Sequence, residues 1–151
     1  MTKRIFIRTA LASEQNALEA LQRRASLSNP GDHEAILANP DAIDLPLEQI
    51  AAGGVFVAHQ DAAIAGFAAV LPRPDGETEL DALFVEPHLW RHGVGRSLVQ
   101  HCAEFARAQG SHALHVIGNP HAESFYMACG FQRIGNSQTR FGVGFLLRKG
   151  L

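Results

Sequence analysis

"LFVEPHLWRHGVGRSLVQHCAEF", Leu83 to Phe105, is the stretch on which the fold turns. An apolar run ends in Val85-Glu86-Pro87, a basic turn carries Gly93 and Gly95, and a helix-forming sequence begins at once. From Gly95 to Gln109, Leu98, Val99, Cys102, Phe105 and Ala106 recur at helical spacing until Gly110 stops the run. Glycine lets a backbone come close to a ligand, and a helix opens with unpaired N–H groups and a partial positive end. Such a turn suits an anion, and Arg91 and Arg96 add charge to it. Read alone, it is equally a tight connector from strand to helix.

Working outward, "KRIFIRT" (Lys3–Thr9) alternates apolar and polar residues and predicts a strand. Ser13–Ser28 carries Ala17, Leu18, Leu21 and Ala25 at helical spacing. Asn29–Pro46 holds Pro30, Pro40 and Pro46, so it predicts a long loop with one short helix over Glu34–Ala38. "GVFVAHQ" and "AIAGFAAVL" predict two strands joined at Gln60–Asp61, and "TELDALFVEP" predicts a third after the turn "RPDG". Beyond the helix come a strand "ALHVIGN", a helix "PHAESFYMAC" opened by Pro120 and closed by Gly130, and a strand "FGVGFLLRK". The expected order is β-α-loop-βββ-α-β-α-β, an α/β protein with an α+β mixed sheet. Three successive strands exclude a Rossmann sheet, which needs a helix between neighbours. "GVGRSL" also lacks the third glycine of the dinucleotide fingerprint, and no Gly-Lys-Ser/Thr marks a P-loop.

A chain of 151 residues, 46% apolar and 19% charged, is read as one soluble domain over residues 1–151. Its formal net charge of -2 predicts no nucleic-acid partner. Cys102 and Cys129 have no metal-type neighbour and read as reduced packing residues. Arg8 interrupts the apolar run of "MTKRIFIRTALA", so no signal peptide is expected. The longest apolar run, Ala62–Leu71, is about half of a membrane span, so a cytoplasmic protein without membrane contact is expected. His88 and His92 straddle a Pro-led turn, and His112 and His115 lie around a strand start, so no metal is expected.

Two marks resemble the GNAT superfamily of N-acetyltransferases: "WRHGVGRSLV" and "NPHAESFYMACGF". The first is similar to the family's pyrophosphate turn, Gln/Arg-x-x-Gly-x-Gly/Ala, set after a strand ending in Val-x-Pro. Trp90 departs from it, standing where the family most often has Gln or Arg. The second is similar to Asn-x-x-Ala-x-x-Phe-Tyr-x-x-x-Gly-Phe at Asn119, Ala122, Phe125, Tyr126, Gly130 and Phe131. The resemblance implies a GNAT-like fold with a splayed central sheet and acetyl-CoA as co-substrate, bound where the strand Glu77–Val85 and the strand Ala113–Gly118 part. It implies pantetheine pairing with backbone groups of Leu83, Phe84 and Val85, as an added strand does. Pyrophosphate is implied on backbone N–H groups of Arg91, His92, Gly93, Val94, Gly95, Arg96 and Ser97.

Acetyl transfer to an amine needs a neutral amine, donors for the developing oxyanion and an acid for the departing thiolate. By resemblance Tyr126, the one tyrosine of the chain, protonates the sulfur; its ordinary pKa keeps it protonated at neutral pH. It is otherwise an amphipathic packing residue. Asn119 stands where helix caps are favoured, and the resemblance adds a pantetheine contact. For the base, alternation puts Glu79, Asp81, Leu83 and Val85 on one face of their strand. At roughly 3.3 Å per residue, Asp81 lies about 7 Å and Glu79 about 13 Å from Leu83, so Asp81 can act nearly directly and Glu79 only through water. Some family members carry a catalytic carboxylate at the position matching Glu79. The plainer account is a pair of solvated charges near a strand end.

Between Arg24 and Arg73 there is no Lys or Arg, while Asp32, Glu34, Asp41, Asp44, Glu48 and Asp61 fall there. Most of these acids occupy the first helices and their loop, where the family usually binds its acceptor. A small cationic amine is the expected partner, with a protein lysine or N-terminus as an alternative. A solvated acidic face explains the same residues. A sensor that binds acyl-CoA without turnover is a further class, disfavoured by Tyr126 with Glu79 and Asp81. A homodimer through "FGVGFLLRK" is a last expectation, weakly supported by Gly142 and Gly144.

Overall fold

The computed structural model describes residues 4–151. Strands β1 (Ile5–Thr9), β2 (Val55–Gln60), β3 (Ala63–Pro72), β4 (Thr78–Val85), β5 (Ala113–Gly118), β6 (Gln132–Thr139) and β7 (Gly142–Gly150) form a mixed sheet of seven strands in the order β1-β2-β3-β4-β5-β7-β6. The helices are α1 (Gln15–Ser28), α2 (His33–Ala38), α3 (Leu47–Ala51), α4 (Val94–Ala108) and α5 (Glu123–Ala128). β4 and β5 pair in parallel, at Thr78↔Leu114 and Glu79↔His115, whereas β1–β2, β2–β3, β5–β7 and β6–β7 are antiparallel. The α/β class and the mixed sheet match the expectation. The start of the expected first strand, Lys3, lies outside the described residues.

The chain divides into two compact units, one running through Ala69 with Ala82–Leu98, the other made of Val70–Asp81 and Val99–Leu151. In the first, Leu18 and Leu21 of α1 are buried with Leu45, Ile50, Val55, Val57, Phe67 and Ala69, and Phe84 packs against them. The α1 apolar residues come three apart because that spacing puts them on one helix face. Each such side chain contributes about 1.5–3 kcal/mol by leaving water. In the second unit Leu80, Val99, Cys102, Ala106, Leu114, Val116, Phe131 and Leu147 are buried.

The structure corrects three expectations. The loop Asn29–Pro46 contains the expected short helix as α2, but it also holds a turn at Pro40–Ala42, and an unexpected α3 follows it directly. The segment from Pro120 opens as a turn at Pro120–Ala122, so α5 begins only at Glu123. Between α5 and the last strand stands β6, which was not foreseen, so the true order ends β-α-β-β. Its sequence "QRIGNSQT" has Ile134 as its one large apolar residue, because β6 is the last strand of the sheet and largely faces water. β7 lies between β5 and β6 with both edges paired. Gly144 answers to packing there: a Cβ on it would stand 2.9 Å from Ile117 Cγ2 and 3.1 Å from Thr139 Cγ2.

Candidate active site

In the first unit, the strand end and the glycine turn are built as one piece. Phe84 packs half-buried against the core, with its ring 5.7 Å from that of Phe67. A Cβ on Gly66 would lie 2.6 Å from the Phe84 carbonyl oxygen, so glycine is what lets β3 approach this end of β4. Trp90 accounts for its departure from the motif: its Nε1–H donates to the Val85 carbonyl at 2.8 Å and anchors the turn to the strand. Glu86 is held as well, its N–H on the Ala65 carbonyl at 2.8 Å and its Oε1 accepting Arg24 Nη2 at 2.8 Å.

Arg91 and Gly93 both take left-handed conformations, with φ of 69° and 87°. A side chain pays roughly 1 kcal/mol or more for such a backbone, so Arg91 is strained where Gly93 is at ease. Arg91, His92, Gly93 and Arg96 are exposed, Gly95 and Ser97 half-buried, and Val94 buried as the anchor of α4. The Ser97 N–H closes the first turn on the Gly93 carbonyl at 3.0 Å, and the N–H groups just before it belong to the open end of the helix. Chemically this end can hold an anion.

In the second unit Tyr126 is 9% exposed and sits edge-on between Phe125 and Phe131, at centroid distances of 5.2 and 5.4 Å. Its ring lies over the end of β5: a Cβ on Gly118 would stand 3.2 Å from Tyr126 Cε2. Burial, and then the nearby Cys129, push the phenol above its ordinary value, so it keeps its proton at any ordinary pH. At the far end of α5, Gly130 has a φ of 96° and the Phe131 N–H reaches back to the Tyr126 carbonyl at 3.0 Å, the expected helix stop. Lys149 Nζ donates to the Cys129 carbonyl at 2.6 Å and closes the same helix end. Asn119 is exposed and makes no side-chain cap; its carbonyl accepts the Ala122 N–H at 2.9 Å instead.

Glu79 is half-buried and Asp81 exposed on β4. Burial first, and then the like charge of Asp81, raise the Glu79 carboxyl above the usual range, against a smaller opposing pull from Arg73. Three features escaped the sequence reading: the Trp90 anchor, the fit of Gly118 under Tyr126, and His115, which pairs with Glu79 across β5. A glycine ending the strand "ALHVIG" signals a close approach and could have exposed the second.

The model of the Acetyltransferase (GNAT) family matches residues 18–131. The chain belongs to this family. Among solved structures, this acetyltransferase is similar to a GCN5-related N-acetyltransferase from Rhodopseudomonas palustris, at 20% identity and a TM-score of 0.78, over 100% of this chain and 99% of that one. It is similar to the PaiA N-acetyltransferase of Thermoplasma acidophilum, solved in complex with coenzyme A, at 16% identity and a TM-score of 0.77, over 98% and 99% of the two chains. It also covers 35% of N-acetylglutamate synthase from Neisseria gonorrhoeae, complexed with coenzyme A and N-acetyl-glutamate, at 19% identity and a TM-score of 0.74, using 98% of its own length. No curated protein matches it significantly. Among the described residues, no helix of this acetyltransferase is long and apolar enough to cross a membrane.

Proposed function

We propose that the whole chain works as a single N-acetyltransferase domain that moves an acetyl group from acetyl-CoA to the primary amine of a small cationic molecule, in a ternary complex. The observation that carries this reading is the glycine turn: a strained Arg91 and a left-handed Gly93 leading into the open end of α4, in a chain of the GNAT family. In the proposal, backbone groups of Leu83, Phe84 and Val85 hold the pantetheine arm. The Val85 carbonyl also accepts Trp90, which fixes this end of the strand. Arg91 to Ser97 hold the pyrophosphate, and Asn119 touches the pantetheine.

The chemistry follows from two groups pushed toward their neutral forms. The acceptor ammonium loses a proton through water to Glu79, with Asp81 nearby as the more exposed carboxylate. The free amine then attacks the thioester carbonyl, its nitrogen loses a second proton to water as the tetrahedral intermediate collapses to the amide, and Tyr126 gives its own proton to the leaving sulfur. Burial raises the Tyr126 pKa, which keeps the phenol protonated and ready to donate when the thiolate develops beside it. The protein returns to its starting state when Tyr126 regains a proton from solvent.

For the acceptor, Glu34, Asp41, Asp44 and Glu48 are all exposed in a stretch without Lys or Arg, which favours a cation. A cytoplasmic setting suits both the donor and two free thiols. The test is a panel of spermidine, putrescine, lysine amide, a lysine-containing peptide, glutamate and aspartate, with acetylated product read by mass. Turnover of the cationic amines at least tenfold above that of the acidic ones supports the reading. Product from glutamate or aspartate alone removes the cationic acceptor, and product from the peptide alone moves the assignment to protein lysine.

A further inference from the structure

The face of the second unit that carries Glu79 continues across three strands. Glu79 is the register partner of His115 on β5, and His115 that of Arg148 on β7. Register partners on adjacent strands project from the same side of a sheet, about 4.8 Å apart. Carboxylate, imidazole and guanidinium therefore form one row across the sheet, and Asp81, two residues beyond Glu79, shares its face. The next residues along, Val116 and Leu147, are buried on the opposite side. Pairing of β4 with β5 includes no rung after Glu79, so the row stands where the two strands cease to pair.

We propose that His115 is a positioning residue for the base, taking from Glu79 the proton won from the acceptor and passing it to solvent. The inference rests on Glu79 being that base. A carboxyl group that has gained a proton in a half-buried site must lose it before the next turnover, and His115 is the titratable neighbour on the same face of the next strand. The step balances: the ammonium proton moves to the Glu79 carboxylate, then to the neutral imidazole, and the imidazolium so formed releases it to water.

The charges around the row favour this order. Arg73 of the β3–β4 turn, held by Asp75 at 3.0 Å, acts on both Glu79 and His115. Burial, and then Arg73, lower the His115 pKa, with Arg148 pulling the same way and Asp75 and Glu77 opposing. Glu77 is itself engaged, its Oε2 accepting the N–H groups of His112 and Ala113 at 2.7 and 2.8 Å. Gln132, the partner of Arg148 on β6, completes the row without charge. Ordinary Glu and His values lie about 2 units apart, and here the carboxyl is raised and the imidazole lowered, so the gap between them narrows.

The test compares His115→Asn, His115→Ala and Glu79→Gln with the wild type, using the panel amine of highest turnover and reading acetylated amine by mass. His115→Asn should lower kcat about tenfold and leave KM for acetyl-CoA unchanged, because the base survives and only its discharge is slowed. His115→Ala should recover with added imidazole at fixed pH and ionic strength, whereas Glu79→Gln should not. Wild-type kcat in both His115 variants, or a loss that imidazole fails to restore in a variant with the wild-type melting temperature, overturns the relay. Should Glu79→Gln keep wild-type kcat, the base reading falls and the relay with it. A slow Glu79→Gln beside fast His115 variants removes the relay alone.

Discussion

Tyr126 concentrates most of the chemistry proposed here in one side chain. It is buried, edge-packed by two phenylalanines and seated on a glycine. Tyr126→Phe keeps the ring and removes only the hydroxyl, so the fold and acetyl-CoA binding should persist. Loss of a general acid should lower kcat by roughly 10²–10³-fold, with little change in the KM for acetyl-CoA. Unchanged kcat would exclude Tyr126 as the acid. Gly118→Ala tests the same site from beneath, since the new methyl would meet both Tyr126 Cε2 and Leu147 Cδ1 at 3.2 Å. That is tighter than ordinary packing, so a cost of about 1–3 kcal/mol in urea unfolding is expected, together with reduced kcat as the phenol is displaced. A variant as stable and as active as the wild type would show that the ring has room to move.

At the scale of elements, β1 and the start of α1 are tied by charge. Arg8 donates to both Glu14 oxygens, at 2.9 and 2.6 Å, and to His59 Nε2 at 3.1 Å, while Glu14 also accepts the Leu11 N–H at 2.8 Å. Hydrogen bonding from Arg8, the largest influence, lowers the Glu14 carboxyl to about 2. A carboxyl with a depressed folded pKa stabilises the fold above its unfolded value near 4.3, and that contribution fades as pH falls toward the folded value. Glu14→Gln should therefore cost about 1 kcal/mol in urea unfolding at pH 7, a figure kept small because the pair is partly exposed, and almost nothing near pH 2. An equal cost at both pH values would show that packing, and not charge, holds this corner. Legibility from sequence differed between elements for a similar physical reason. Strands β2 to β5 bury one or both faces and announce themselves by apolar runs, and α4 by its stripe. By contrast β6, exposed along most of its length, carries no such signature, and the short α3 offers a single turn of pattern. The candidate site was legible where backbone geometry dictates residue type, at Gly93 and Gly130. It was silent where residues distant in sequence come into register, as Glu79 does with His115, because strand register is not written in either strand alone.

For the whole molecule, size, charge and ligand come together in one measurement. A chain of 151 residues buries about two thirds of its unfolded surface, enough to fold without disulfides or metal, yet domains of this kind remain only marginally stable. Any ligand that binds the folded state alone then adds visibly to the total. At about 100 times its dissociation constant a ligand contributes roughly 2.7 kcal/mol, which at this chain length is on the order of 5–10 °C in melting temperature. Acetyl-CoA and CoA should each produce such a shift, because the proposed contacts are to pantetheine and pyrophosphate, which both contain. NAD and ATP also carry phosphates, and they should shift it far less, since neither has a pantetheine arm to pair with the end of β4. The net charge of -2 gives a polyphosphate no general attraction, so a shift with ATP could not be dismissed as electrostatic background. If ATP or NAD matched CoA, the open end of α4 would be a generic anion seat and the pantetheine assignment to Leu83–Val85 would be lost. The sole tryptophan, Trp90, bonded to the Val85 carbonyl within the same turn, supplies a second reading of the same titration. Its emission should change with CoA at the concentrations that raise the melting temperature, and stay constant if the ligand binds anywhere else.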